Sequence, residues 1–449
     1  MISTIFALCS AYGKSGVAVF RLSGNECWKV IRDITSKNFQ DVLPRSMYLC
    51  KILEYQSNKL IDKGLIVYFQ KDSSFTGEDS LEIHVHGSVA VIKMLNKTLS
   101  AIPYLRLAEP GEFSKRAFLN QKLDLTSIEG LADLIDAETE LQHSQAIKQY
   151  EGTLEKLYNS WRQLLIQIIA RLEAYIDFPD EDIPQEITTE IKNLIFNLME
   201  QITNHIKDDR KGERLRNGIK LAIIGKPNVG KSSMINYLLS RDVAIVSNIP
   251  GTTRDIIEGH VDLGGFPLIV QDTAGIRENT NDQIEEYGIN KAKEAAKEAD
   301  IKLFMIDALH VDEDIDFLRN LFDENSVIIV NKSDLLTSDL KKRYLKLCPS
   351  GTIFISILKE TNLLSVTKTV TAIARHLVPS NNTTAITRMR YRDQLEKVLS
   401  ILCQCNFDDD IVLLAEELRQ AGWLIGNLTG KINLDEILDE IFVNFCIGK

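Results

Sequence analysis

The chain has 449 residues, a length at which one hydrophobic core rarely suffices, so two to four domains are expected. Its composition, 44% hydrophobic and 26% charged, is typical of a soluble globular protein, and no stretch approaches the roughly 20 apolar residues of a membrane helix. The net charge of −11 argues against indiscriminate binding to nucleic acid, which relies on basic surface. Scattered Cys residues and an N-terminus without a basic leader segment predict a reducing, cytoplasmic location.

The N-terminal part of the chain differs from the rest in charge and in pattern. Residues 1–118 carry 15 basic and 11 acidic side chains, so an anionic cofactor or polymer is most expected here. The β-like runs GVAVFRLSG, GLIVYFQ and SLEIHVHG are bounded by Gly, Ser and Asp. This pattern predicts an α+β domain over residues 1–119.

Three polar side chains, Glu82, His84 and His86, alternate along SLEIHVHG and are expected on one face of a strand. Carboxylates and imidazoles are sound metal ligands. A hydrogen-bonding wall for a polar heterocycle, or a solvated sheet face, is favoured over a metal site.

The remaining sequence is helical on both sides of an α/β segment. Apolar residues at spacings of three and four predict helices over residues 120–216 and 379–449. Alternating strands and helices over 217–378 predict a doubly wound parallel sheet. The simplest architecture inserts this α/β domain between two halves of one helical domain.

The stretch GKPNVGKS, from Gly225 to Ser232, fits the phosphate-binding pattern G-x-x-x-x-G-K-[ST] between a predicted strand and a predicted helix. Its glycines let backbone N–H groups converge on phosphate oxygens, and the helix start adds positive potential. Lys231 supplies a point charge, and Ser232 is expected to ligate Mg²⁺.

Three further stretches, GTTRD, DTAG and NKSD, follow in the order expected of a GTPase. Thr253 can close on Mg²⁺ when the γ-phosphate is present, and Asp272 brings a carboxylate near the metal. Asp334 can accept two hydrogen bonds from guanine, whereas adenine lacks that edge. The residues predicted to bind GTP are Asn228, Val229, Gly230, Lys231, Ser232, Ser233, Ser247, Asn248, Ile249, Pro250, Gly251, Thr252, Thr253, Asp272, Thr273, Ala274, Gly275, Asn331, Lys332 and Asp334.

Residues 217–378 resemble the translation-factor class of P-loop GTPases, although the fifth element reads SILK where that class usually has Ser-Ala-Lys. In Ras-like proteins a Gln after DTAG orients the attacking water, but Ile276 stands here. Glu285 and Glu286 in DQIEEYGINKA are alternatives, although such an acidic run is more often a solvated helix face. Asn228 resembles the residue with which some GTPases seat K⁺ in place of an arginine finger.

The stretches FTGED, PGEFSKRAFLNQKLDL, DFPDE and the terminal CIGK, together with the GTPase elements, closely resemble the MnmE (TrmE) family of tRNA-modification GTPases over the whole chain. The resemblance implies an N-terminal tetrahydrofolate-binding α+β domain that dimerises, a discontinuous helical domain and an inserted G domain.

The same resemblance implies site residues. The folate site, for 5-formyl-tetrahydrofolate, falls on Arg21, Glu82, Lys122 and Lys449. The K⁺ ligands fall on Asn228, Ser247, Ile249 and Thr252. Glu285 becomes the residue that activates water, and Mg²⁺ is assigned to Ser232 and Thr253.

The resemblance further implies that a homodimer works with the flavoprotein MnmG, in a heterotetramer, on tRNA. The pair would install an aminomethyl-type group at C5 of the wobble uridine U34, with carbon from the folate and GTP hydrolysis driving the conformational cycle. The helix-like LDEILDEIFVNF predicts that the tail is carried to a fixed place, with Cys446 as a second catalytic residue. The alternative is that the tail is only the frayed end of a helix.

Two other functions compete with this interpretation. A ribosome-assembly GTPase that binds RNA without covalent chemistry would need a basic appendage such as a KH module, and the acidic C-terminal half offers none. A folate-binding regulator whose G domain is only a switch is the third hypothesis.

Overall fold

A computed structural model of the protein describes residues 3–177, 185–241, 244–245, 258–272, 294, 296–313, 315, 322–379, 384–405, 411–430 and 448. The chain divides into two compact units. The first comprises Met1–Ala132, Tyr150–Gln163 and Gly422–Lys449, and the second comprises Asp133–Gln149 and Leu164–Ala421. Over the described ranges, the helices are all too short or too polar to span a bilayer.

The described residues form the following strands and helices in chain order. The strands are β1 Thr4–Leu8, β2 Ser15–Ser23, β3 Met47–Leu53, β4 Leu60–Phe69, β5 Ser80–Gly87, β6 Leu105–Leu107, β7 Ile219–Ile224, β8 Ala244–Ile245, β9 Glu258–Leu263, β10 Phe266–Asp272, β11 Ile301–Asp307, β12 Ser326–Asn331 and β13 Ile353–Phe354. The helices are α1 Cys27–Ile34, α2 Val89–Ser100, α3 Glu112–Leu119, α4 Leu125–Asp136, α5 Glu140–Tyr150, α6 Thr153–Asp177, α7 Gln185–Ile206, α8 Lys211–Asn217, α9 Lys231–Arg241, α10 Ser338–Leu347, α11 Leu363–Leu377, α12 Met389–Gln404 and α13 Ile411–Leu428.

The first unit is built on a sheet in the order β3-β4-β5-β2-β1-β6, with neighbours antiparallel except β1 and β6. Phe20 and Leu22 on β2 are buried in one core with Ile31 of α1 and Leu95 of α2. Because side chains alternate along a strand, the residues between them, including Arg21, lie on the opposite face. The α+β class predicted for this region is confirmed.

The second unit contains the sheet β13-β12-β11-β7-β10-β9-β8. β7, β10, β11, β12 and β13 are parallel, and apolar clusters cover both faces. Met234 of α9 and Val366 of α11 pack on one face, whereas Tyr344 of α10 packs on the other. The predicted α/β class is confirmed, since parallel strands are buried on both sides by helices.

One part of this sheet differs from the predicted all-parallel arrangement, because β9 is antiparallel to both β10 and β8. Gly264 and Gly265 connect β9 to β10 with φ of 63° and 90°. Two consecutive residues with positive φ form the tight hairpin that joins antiparallel strands. The dipeptide Gly-Gly between two apolar runs was the sequence signal for this hairpin.

The helical part of the second unit holds both chain segments that lead into and out of the α/β region. Arg216 precedes β7 and its Nε donates to Asp133 Oδ1 at 2.8 Å. Arg388 follows α11, and its Nη1 and Nη2 donate to the two oxygens of Asp133 at 2.7 and 2.9 Å. One carboxylate therefore fixes the two connections side by side, as an inserted α/β domain requires.

Candidate functional site

The phosphate loop predicted from the sequence lies between β7 and α9, at residues 225–230. Asn228 and Gly230 have left-handed backbone, with φ of 62° and 104°. Glycine adopts this conformation readily, and Asn does so more often than most residues. A side chain at Gly225 would run into the carbonyl oxygen of Met305 on β11. The spacing of the two glycines thus follows from the path of the loop.

The Lys231 side chain folds back over this loop. Its Nζ donates hydrogen bonds to the carbonyl oxygens of Gly225 and Lys226, each at 2.9 Å. Ser232 and Ser233, in the first turn of α9, are exposed. A cation and two hydroxyl groups at the start of a helix favour a phosphate group and its magnesium ion.

Asn331, the first residue of NKSD, ties three of the predicted motifs together. It ends β12 and is 4% exposed. Its Nδ2 donates to the carbonyl of Val229 in the phosphate loop at 2.8 Å, and its Oδ1 accepts from the N–H of Ile357 in SILK at 3.1 Å. Sequence reasoning assigned Asn331 only to GTP, and that contact stays a prediction. The structure adds a role in holding the loops of the site.

The rest of NKSD forms a turn after β12. Lys332 has φ of 61°, and its Nζ lies 2.6 Å from Asp307 Oδ2 at the end of β11. Burial raises the pKa of Asp307, but the Leu309 backbone amide and the Lys332 ammonium outweigh it, so the pKa lies below its usual value. Asp334 is exposed in the following 3-10 turn. The predicted guanine-binding carboxylate therefore lies at the surface beside the strand ends.

The predicted motifs share one edge of the sheet. Asp272 is the last residue of β10 and stands opposite Ile223 of β7, just before the phosphate loop. Asn331 and Asp307 end the neighbouring parallel strands. Ligands of open parallel sheets bind outside the carboxyl ends of the strands, so this edge is the expected nucleotide site.

Part of the predicted site lies outside the described residues. These residues are Ser247, Asn248, Ile249, Pro250, Gly251, Thr252, Thr253, Thr273, Ala274, Gly275, Ile276, Glu285, Glu286, Cys446 and Lys449. Their assignments stay predictions.

The first unit carries a second group of polar side chains, the polar wall, which consists of Arg21, Glu82 and His84. Arg21 on β2 stands opposite Glu82 on β5. The Nε and Nη2 of Arg21 donate to Glu82 Oε1 at 3.1 and 3.0 Å, and His84 Nε2 lies 3.1 Å from Glu82 Oε2. The three side chains are 19% to 24% exposed, so solvent still reaches the wall.

The Glu82 carboxyl group is held in its ionised form. The hydrogen bond from His84, followed by the charge and hydrogen bonds of Arg21, outweighs burial and lowers the pKa of Glu82 below its ordinary value. The Arg21 guanidinium lies over the Phe75 ring, 5.5 Å from its centre. An ionised carboxylate, joined through Arg21 to an aromatic ring, suits a flat molecule with N–H donors.

Lys122, the third predicted folate residue, follows α3 and contacts the loop between β4 and β5 that carries Phe75. Its Nζ donates to the carbonyl of Asp72 at 2.8 Å. Gly77 in the same loop has φ of 73°, and a Cβ there would lie 2.7 Å from the Cβ of Asn120. Arg21 and Glu82 are in direct contact, whereas Lys122 is linked to them through this loop.

His86 does not join the polar wall. Its Nδ1 lies 2.9 Å from Asp62 Oδ1, and its backbone N–H donates to Asp62 Oδ2 at 2.8 Å. Glu82 and His84 contact each other instead. In the described part of the chain, groups of His, Cys, Asp and Glu suited to a metal ion do not occur. The contacts within the wall are hydrogen bonds and ion pairs among its own side chains.

Sequence reasoning missed the buried polar network beside the wall. Arg116 is 5% exposed and its Nη1 donates to Glu78 Oε2 at 2.7 Å, while its Nη2 donates to Glu112 Oε1 at 2.9 Å and to the Ser3 carbonyl at 2.8 Å. Ser23 Oγ donates to Glu78 Oε2 at 2.8 Å. Glu78 belongs to FTGED, and Glu112 and Arg116 belong to PGEFSKRAF. These motifs hold the loop with Phe75 against β2.

Comparison with protein families gave two matches. The description "MnmE helical domain" matches residues 125–446, and "GTP-binding protein TrmE N-terminus" matches residues 4–122. A tRNA modification GTPase MnmE of Rickettsia bellii (strain OSU 85-389) is 51% identical over 456 residues, with 100% of both chains covered. A protein of the same name from Rickettsia typhi is 50% identical over 453 residues, again with 100% of both covered.

Among solved structures, an Era structure from Aquifex aeolicus is 28% identical and covers 40% of this chain and 66% of its own, with a TM-score of 0.28. The G domain of the T. maritima FeoB iron transporter is 22% identical and covers 35% of this chain and 98% of its own, with a TM-score of 0.27.

Proposed function

This chain belongs to the MnmE family of tRNA modification GTPases, and on that premise we propose that it hydrolyses GTP to drive modification of the wobble uridine U34 of certain tRNAs. The observation that carries the proposal is the phosphate loop closed by Lys231, in a chain whose relatives match its whole length. The proposed partner is the flavoprotein MnmG, in a heterotetramer with a homodimer of this chain. The group added to C5 is of the aminomethyl or carboxymethylaminomethyl type. We also propose that the protein acts in the cytoplasm, because the tRNAs that it would modify are there.

Deletion of the gene, followed by nucleoside analysis of total tRNA, tests this function. We expect C5-modified U34 to disappear and to return with the wild-type gene or with Lys342→Ala, an exposed lysine on α10. We expect Lys231→Ala not to restore it. Normal U34 modification in the deletion strain would overturn the proposal.

Magnesium and guanine recognition use the edge described above. Ser232 and Thr253 are proposed to hold Mg²⁺, since hydroxyl oxygens suit this cation and Ser232 is exposed at the start of α9. Bound Mg²⁺ would neutralise charge on the phosphates. Asp334 is proposed to read guanine, and Asp334→Asn is expected to weaken GTP binding.

A potassium ion is proposed beside the phosphates, held by Asn228, Ser247, Ile249 and Thr252. Asn228 is exposed on the phosphate loop, where its oxygen is accessible to a cation. A second positive charge at the phosphates would replace an arginine finger. GTP turnover measured in K⁺ and in Na⁺ at matched ionic strength tests this, and equal rates would contradict it.

Glu285 is proposed to orient the attacking water, because Ile276 cannot. Glu285→Ala and Glu285→Gln are expected to slow hydrolysis while GTP binding persists, since a group that orients water acts mainly on the transition state. Single-turnover hydrolysis and equilibrium binding separate the two effects. Unchanged hydrolysis would move the role to Glu286 or to backbone groups.

The polar wall is proposed to bind 5-formyl-tetrahydrofolate, with Arg21, Glu82, Lys122 and Lys449 as its contacts. The support is the ionised Glu82 carboxylate, which can accept hydrogen bonds from a pterin, beside cations for the glutamate tail. Glu82→Ala should weaken folate binding by on the order of tenfold or more, as expected for losing a charged hydrogen bond. His86→Ala, whose ring contacts Asp62, is the matched control.

The terminal CIGK is proposed to take part in the uridine chemistry through Cys446. Cys446→Ser and removal of residues 447–449 should each severely reduce U34 modification while GTP turnover persists. Wild-type levels of modified uridine in both variants would show that the tail is dispensable.

A further inference from the structure

Gly448, in the C-terminal tail, contacts the chain at the end of β1. The Sγ of Cys9 donates a hydrogen bond to the carbonyl oxygen of Gly448 at 2.9 Å, across 439 positions of sequence. Gly448 has φ of 105°, and a Cβ there would collide with the Leu8 carbonyl oxygen and lie 3.2 Å from the Cα of Cys9. The backbone of Gly448 thus lies directly on the backbone of residues 8–9, an approach that a side chain at position 448 would prevent.

This contact is on the sheet face that carries the polar wall. Ala7 stands opposite Arg21, which stands opposite Glu82. Cys9 follows Ala7 by two positions and continues the ladder, since its N–H donates to the Val19 carbonyl at 2.8 Å. Side chains two positions apart share a face, and so do directly opposed residues of neighbouring strands. Cys9 and Arg21 are therefore diagonal neighbours, with Cα atoms about 7–8 Å apart.

We propose that Cys9 is a positioning residue whose thiol docks the C-terminal tail on the face of the polar wall. In the proposed function the same tail supplies Cys446 and Lys449 to the molecule that the wall binds. This inference rests on the proposed function, in which the tail takes part in uridine modification.

The chemistry of the contact explains what Cys9 supplies. The Gly448 carbonyl can only accept, so its partner must donate, and an S–H or an O–H does this whereas a methyl group does not. Cys9 is partly buried beside the tail. Replacement by Ser should keep the tail docked, and replacement by Ala should release it.

The test uses the full-length protein and carboxypeptidase B, which removes a C-terminal lysine that it can reach. Release of Lys449 is followed by intact mass for the wild type, Cys9→Ala and Cys9→Ser, with Cys403→Ala, an exposed cysteine on α12, as control. We expect release to be about two- to tenfold faster in Cys9→Ala, from loss of one hydrogen bond. Cys9→Ser and Cys403→Ala should resemble the wild type, and GTP turnover should be unchanged in all.

A second variant guards against a folding defect in Cys9→Ala. Gly448→Ala leaves β1 intact and should also accelerate release, and melting temperatures verify that each variant is folded. Wild-type release rates in both Cys9→Ala and Gly448→Ala would overturn the docking.

U34 modification provides the second readout. It should fall in Cys9→Ala and return in Cys9→Ser. Faster release with full modification in Cys9→Ala would overturn the positioning role. Absence of U34 modification in the wild type would instead refute the proposed function, and the release rates would still decide the docking.

Discussion

The phosphate loop and the polar wall are organised in opposite ways. The loop is one contiguous stretch, and Lys231 bonds to carbonyls only five and six positions before it. The wall joins Arg21 to Glu82 across 61 positions, and its supporting Arg116 joins Glu78 across 38. A local site depends on backbone conformation and a few side chains, whereas a dispersed site depends on the packing that brings strands into register. Variants of the phosphate loop should therefore lose mainly GTP binding, whereas variants of the residues that support the wall should lose mainly stability.

The largest expected effect is on the support of the wall. Arg116→Met should lower the free energy of unfolding by about 3–5 kcal/mol, because it removes a buried cation and leaves the largely buried carboxylate of Glu78 unpaired. Arg106→Met is the matched control, since Arg106 contacts the same Glu112 but is 42% exposed, and it should cost less than about 1 kcal/mol. Urea unfolding measures both. Equal losses would show that the wall does not depend on the buried network.

The second-largest expected effect is on GTP binding, when the Lys231 cation is removed from the phosphate loop. Lys231→Ala should weaken GTP binding by on the order of 10- to 100-fold, the usual value of a hydrogen bond to a charged group. Equilibrium titration with a fluorescent GTP analogue measures it, with Lys342→Ala as control. The variant should unfold at the same urea concentration as the wild type within error, since the loop is held by its own backbone. A large loss of stability in Lys231→Ala would show that the phosphate loop depends on tertiary packing as the polar wall does.

A smaller effect on stability and GTP binding is expected at Asn331, a distant residue that contacts the phosphate loop. Asn331→Asp replaces the Nδ2 donor with an oxygen that faces the Val229 carbonyl, and this should cost about 1–3 kcal/mol of stability and weaken GTP binding. Asn325→Asp, before the other end of β12, is the control. If Asn331→Asp binds GTP like the wild type, the loop is more independent of β12 than the bond implies.

The smallest expected effect is the pH dependence of the stability that Glu82 contributes in the polar wall. The pKa of Glu82 lies below its ordinary value in the folded state, so its charge contributes stability that is fully present above the ordinary pKa and is lost as the pH falls through the folded value. Glu82→Gln should therefore cost about 1 kcal/mol at neutral pH, and the difference from wild type should vanish in acid. Unfolding of both proteins between pH 7 and about 3 measures this. A difference that persists in acid would assign the loss to packing rather than charge.

Much of the nucleotide site was predictable because its determinants are local. The glycines of GKPNVGKS are set by the path of a short loop, and the apolar strand before it and the helix after it are visible in the sequence. The missed feature of this region, the antiparallel β9, also had a local signal in Gly264-Gly265. The role of Asn331 had none, because its partners are backbone groups of two other segments.

The sequence by itself determined the fold classes, the phosphate loop and the family to which the chain belongs, since these follow from periodicity and from contiguous motifs. Only the tertiary structure decided which side chains meet on the face of the first sheet that carries the polar wall. Alternation showed that Glu82, His84 and His86 share one face of a strand, but strand register paired Glu82 with Arg21 and left His86 to Asp62. The contact between Cys9 and Gly448 is the extreme case, because no local pattern specifies a bond that closes almost the whole chain. Such pairings arise from the combined packing of many strands and helices, so no single stretch of sequence predicts them.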